Sequence, residues 1–175
     1  MRGDLESALD FTPAMAEMEG DSDRAAGIVA ASLVDSALKI RLTAAMRPDP
    51  TVHNEIFQPS GSLAALGTKA RLAYMLSFVS DDVYQDLIAI ERIRNSFAHR
   101  ADIQHFAHPD IQNEIKRMKT PALAESELNG GLSSSSSKVI WDADPRTVFL
   151  AATKFVLGQI LPRGIPAPSE AEKPV

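Results

Sequence analysis

The chain has no cysteine among its 175 residues. Disulfides, thiolate nucleophiles and cysteine-ligated metals are therefore excluded, and a reducing, cytoplasmic compartment fits. It has little aromatic content and no excess of positive charge: aromatics are 6% and the formal net charge is −5. That balance argues against broad binding to nucleic acid, which depends on neutralising phosphates with Lys and Arg. A local basic patch stays open. No apolar run approaches the roughly 18 residues needed to span a bilayer, so no membrane association is expected. No basic segment followed by an apolar run follows Met1, so no signal peptide is expected. Glycine-rich phosphate loops, dinucleotide fingerprints, zincin helices and nucleophile elbows are all missing. No helix-turn-helix stands out, no β-branched alternation suggests a strand, and no internal repeat is visible.

What is present is helical periodicity, in an ordinary globular composition with 45% hydrophobic residues. The fold class read from it is all-α, a bundle of about five main helices in one domain over residues 1–161. Asp4 to Leu9 reads as a weak helical piece. Thr12-Pro13 opens a short turn to Met18, with Pro at a first helical position. Ser22 or Asp21 then caps a long helix to about Met46. Its stripe of Ala26, Val29, Ala30, Leu33, Ala37, Ile40 and Ala44 is widened by Ile28, Val34, Leu38 and Leu42, the pattern of a central helix. Asp35 and Lys39 are spaced for an i,i+4 pair on its polar side.

Arg47-Pro48-Asp49-Pro50 ends that helix. Further helices are expected from about Leu63 to Phe78, from Asp82 to Ala101 behind a Ser80-Asp81-Asp82 cap, from Pro109 to Lys119, and from Asp144-Pro145 to Leu161. Residues 132–138 read as a flexible serine-rich loop, and residues 162–175 as a disordered, Pro-rich tail.

The chemistry-bearing cluster is Arg94-Asn95-Ser96-Phe97-Ala98-His99. At about 100° per residue, Val83, Leu87, Ile90 and Phe97 fall within roughly 60° of Arg94, and Glu91, Asn95 and His99 fan out beside it. Charged residues are rarely buried unless paired. The favoured structural reading therefore buries Arg94 and pairs it with Glu91, Asp23 or Asp35, while His99 serves the helix C-terminus. Under the alternative, Arg94 clamps a phosphate and His99 passes protons, with Asn95 and Glu91 beside them, in metal-independent RNA cleavage. The spacing alone is weak, since Arg100 and His105 repeat it.

His99, His105 and His108 have only Asp102 and Asp110 as nearby carboxylates, and Pro109 interrupts the helical spacing of the pair, so no metal or other cofactor is expected. Ser60-Gly61-Ser62, ahead of the helix expected at Leu63, reads as a turn and cap rather than an anion site.

Three blocks together resemble the mannitol operon repressor family (MtlR-like proteins). They are Gly20-Asp21-Ser22-Asp23-Arg24-Ala25; Phe57-Gln58-Pro59-Ser60-Gly61-Ser62-Leu63 with Lys69-Ala70-Arg71-Leu72-Ala73-Tyr74; and the run from Asp86 to His99. The chain departs from the family pattern at Leu66-Gly67, where an aromatic and a serine are expected, and in its serine-rich loop. The resemblance implies an all-helical cytoplasmic bacterial regulator of transcription. It also implies no DNA-binding motif, and so action through protein partners without direct duplex DNA binding. A homodimer is expected as well. The Arg94 to His99 motif also resembles the HEPN superfamily. That implies a dimeric ribonuclease or nucleotide-binding module, the only reading that brings in RNA.

Overall fold

The computed structural model describes residues 12–20, 22–120 and 143–161. The expected helix at Asp4 to Leu9, the serine-rich loop and the tail lie outside them. Seven helices run through the described residues, with no strand among them: α1 (Thr12–Met18), α2 (Asp23–Ala45), α3 (Pro50–Phe57), α4 (Leu66–Met75), α5 (Asp81–His99), α6 (Pro109–Ile115) and α7 (Pro145–Ile160). The fold is all-α, with more helices than the about five expected.

Side-chain caps set most of the starts. Ser22 accepts the Ala25 amide to open α2, and Ser80 accepts that of Val83 to open α5. Asp49 and Asp144 open α3 and α7, each followed by proline, whose missing N–H costs nothing in a first turn. Helix α3 is the element that periodicity overlooks. It is short and none of its residues is buried, so Val52, Ile56 and Phe57 give it only a brief apolar pattern.

The helix expected from Leu63 to Phe78 is shorter at both ends. The Leu63 amide donates to the Ile56 carbonyl, and the Leu63 carbonyl accepts from the Lys69 ammonium. The Gly67 amide, which a helix begun at Leu63 would send to that carbonyl, goes to Glu91 instead. At the other end Ser77 takes a left-handed conformation (φ 57°). The Ser77 and Phe78 amides fold back onto the Tyr74 and Ala73 carbonyls, a Schellman turn that stops the helix.

Helix α2 is central, as its wide apolar face requires, and packs against α1, α4, α5 and α7. Its buried face includes Ala26, Ala30, Leu33, Val34, Ala37, Leu38 and Leu42. Gly27 matters through what lies above it: a Cβ there would sit 2.5 Å from the Phe97 ring. Phe97 packs edge-on to Phe106 at 5.1 Å, and Phe106 lies 4.9 Å from Phe149. These rings join α5, the segment after it and α7 in one core.

Buried and half-buried polar groups lock this frame. Asp23 accepts from the Phe106 amide and pairs with Arg146 at 3.0 Å, joining α2 to the start of α7. Asp86 on α5 is fully buried and accepts from the Lys119 amide (2.6 Å), the Thr120 amide (2.9 Å) and the Thr120 hydroxyl (2.5 Å). Burial pushes its carboxyl above the usual range. The bonds from Thr120 and Lys119 oppose that shift, and the nearby Asp82 charge adds to it.

Candidate functional site

Two carboxylates and one ammonium shape the site. Lys69 on α4 is 2% exposed, the reverse of what its charge predicts. Its ammonium donates to the carbonyls of Leu63 (3.0 Å) and Ala64 (2.8 Å) and pairs with Asp35 of α2 at 2.9 Å. All three N–H bonds are thereby used. Asp35 is not paired with Lys39 as the i,i+4 spacing suggests. The Lys39 ammonium lies 5.5 Å from the Phe57 ring centroid instead. Glu91 of α5 accepts the Gly67 amide at 3.2 Å, in the first turn of α4. The α4 cap residue, Ala65, has no side chain able to do this. A Cβ on residue 67 would sit 2.4 Å from the Glu91 carboxylate, so a larger residue there would make the Glu91 side chain shift.

These ties hold the strand of chain before α4 against α2 and α5 and leave a cleft between them of about 480 Å³. Ala31, Ser32, Asp35 and Ser36 form one wall; Ala64, Ala65 and Leu66 form the second; Glu91, Arg94 and Asn95 form the third.

Arg94 does not behave as the favoured structural reading expects. It is exposed, not buried, and it is paired with none of Glu91, Asp23 or Asp35. Its guanidinium donates to the Asn95 side-chain oxygen at 2.9 Å, and Asn95 is exposed too. The reason is the size of the facing residues. The wheel position of Arg94 is a core position, but Ala31, Ser32, Ser36, Ala64 and Ala65 are too small to fill the space opposite. The stripe therefore opens into the cleft at that level. Asp86, elsewhere on the same stripe, is the charged residue that α5 buries.

His99 ends α5 and is exposed, and it is not among the residues lining the cleft. His99 is the basic residue of the last turn, where the expectation places it, but the carbonyls there are reached by another side chain. The Arg24 guanidinium reaches the carbonyls of Ala98 and Arg100, both at 3.5 Å. A cation there complements the helix dipole. So the structure brings Glu91, Arg94 and Asn95 to one cleft and leaves His99 outside it.

The other histidines do local work. His108 accepts the Asp110 amide to cap α6, and His105 sits 3.7 Å from Asp23. Among the described residues no three of His, Cys, Asp and Glu gather as a metal set. Ser60-Gly61-Ser62 is a turn several residues before α4. The Gly61 amide donates to Gln58, and a Cβ at residue 61 would meet the Glu55 and Ile56 carbonyl oxygens at 2.4 Å. Among the described residues no helix is long and apolar enough to cross a membrane.

The pairing of Lys69 with Asp35 was not legible in the sequence. A lysine at a core position of a short helix is the available signal, but its partner lies on a different helix.

No family model matches the chain, and no curated protein does. Solved structures do match. The fold is similar to that in the MtlR–HPr complex from Escherichia coli, at 16% identity and a TM-score of 0.63, over 85% of this chain and 96% of that one. It is equally similar to a possible transcriptional regulator, YggD, from Shigella flexneri 2a, at 14% identity and a TM-score of 0.63, over 87% of this chain and 99% of that one. At these identities the likeness is one of fold.

Proposed function

We propose that this chain is a bacterial transcriptional regulator of the mannitol operon repressor type that acts by binding another protein and has no DNA-reading element of its own. The observation that carries this reading is the likeness, across most of both chains, to a protein solved with HPr bound to it. The second structural relative, described as a possible transcriptional regulator, points the same way. The net charge of −5 adds support, since a duplex-reading surface needs clustered cations. A cytoplasmic homodimer belongs to the same reading, C2 pairing being the commonest form of soluble assembly.

HPr from the same bacterium is the first partner to test. Titration calorimetry with the purified chain is expected to show saturable binding at a fixed stoichiometry. Absence of binding, together with a salt-resistant and sequence-selective shift of promoter DNA by the chain alone, overturns the reading.

A second reading has one observation in its favour. Arg94, Asn95 and His99 are all exposed on the last turns of α5. Exposure is what a HEPN-type ribonuclease or nucleotide-binding module requires of them. Against it stands the placement of His99 outside the cleft that holds the other two.

A further inference from the structure

The formal charges around the cleft cancel, Asp35 and Glu91 against Lys69 and Arg94, but their pairing is uneven. Asp35 is engaged by the Lys69 ammonium at 2.9 Å. Glu91 is engaged by the Gly67 amide at 3.2 Å. Both carboxylates are held by the fold, on one flank of the cleft each. Arg94 has only the neutral amide oxygen of Asn95, and among the described residues no carboxylate pairs with it. A guanidinium has five N–H donors in a planar fork. Most of this fork remains available on the open side of the cleft.

We infer that this cleft is a binding site for a small anionic molecule, seated through a carboxylate or phosphate group on Arg94 and Asn95. The planar fork of arginine matches the two oxygens of either group. The Asn95 side chain, its oxygen turned to Arg94, keeps its NH₂ donors for the same anion. The volume of about 480 Å³ lies within the range for small-molecule sites. Ala64, Ala65 and Leu66 give the uncharged part of such a ligand an apolar wall. The acidic surface of the chain, net −5, disfavours a long polyanion and tolerates a compact one. This site is independent of the protein-binding reading, which the HPr titration examines without any added anion.

The test uses the full chain and two probes, sodium phosphate and sodium succinate, against sodium chloride at matched ionic strength. Thermal melts and calorimetry are expected to show saturable binding of at least one probe, and the pair separates a phosphate ligand from a carboxylate one. Arg94→Gln is expected to weaken that binding by about tenfold or more, the scale of a charge-assisted hydrogen bond. Arg92→Gln is the control. Arg92 lies on the same helix but pairs with Glu114 away from the cleft, and its loss is expected to leave binding unchanged. Two results overturn the proposal: no saturable binding of either probe, or equal binding by Arg94→Gln.

Discussion

Asp86→Ala is expected to lower stability by about 3–5 kcal/mol, the cost of stranding several buried hydrogen-bond donors. The Lys119 amide, the Thr120 amide and the Thr120 hydroxyl all end on this one carboxylate, and Thr120 is itself fully buried. Each stranded donor costs roughly 1–3 kcal/mol if no water replaces the acceptor. One term runs the other way. Burial raises the Asp86 pKa in the folded state, so its ionised form carries a desolvation penalty that alanine removes. By the same linkage, the contribution of Asp86 falls as pH rises from its unfolded pKa through its higher folded one. This is opposite to the usual carboxylate. Three lost acceptor contacts outweigh that single penalty. A chain of this size loses about 2–4 °C of melting temperature per kcal/mol, so thermal denaturation should show a fall on the order of 10 °C. Asp86→Asn should fall less. It keeps one acceptor oxygen and turns an NH₂ towards a donor.

Lys69→Met is expected to cost about 2–4 kcal/mol. Breaking a buried pair typically costs about 3–5 kcal/mol because a charge is left behind. Here the partner Asp35 is 36% exposed, so water recovers part of the loss. Methionine keeps the length of the buried stem, which confines the effect to the ammonium. The carbonyls of Leu63 and Ala64 lose their donor, and Ala64 sits at the cleft wall. The substitution should therefore also make residues 57–65 cut faster under limited proteolysis, while an exposed change such as Arg92→Gln should not. Lys69→Arg should not rescue the protein, because a planar fork cannot reach three acceptors arranged around one nitrogen. A melting temperature and proteolysis rate equal to those of the unsubstituted chain would show that the Lys69 contacts do not hold the loop.

Most of the scaffold was legible because it rests on local signals. Ser22, Ser80 and Asp144-Pro145 are caps that precede apolar stripes, and each opens a helix close to where the pattern places it. Asp49-Pro50 is the same signature as Asp144-Pro145 and opens α3, yet the helix is only eight residues long and its apolar pattern too brief to draw notice. The site was legible only in part. The helical wheel places Arg94 on a core face correctly as geometry. It cannot see that the residues opposite are alanines and serines, which leave a cleft where a core would be. Nor can it match Lys69 with Asp35, Glu91 with the Gly67 amide, or Arg24 with the end of α5. Each of these pairs joins separate elements, and only the packed bundle selects them.

The same exposed arginine separates binding from catalysis, and RNA cleavage tests that division most directly. Purified chain, Arg94→Ala and His99→Ala would be incubated with single-stranded RNA without metal, alongside thermal melts. Both side chains are exposed, so both variants should melt within about 0.5 kcal/mol of the unsubstituted chain, as ordinary surface substitutions do. No cleavage above background is expected from any of the three proteins. Cleavage by the unsubstituted chain that disappears in both stable variants would contradict it and make Arg94 and His99 a catalytic pair.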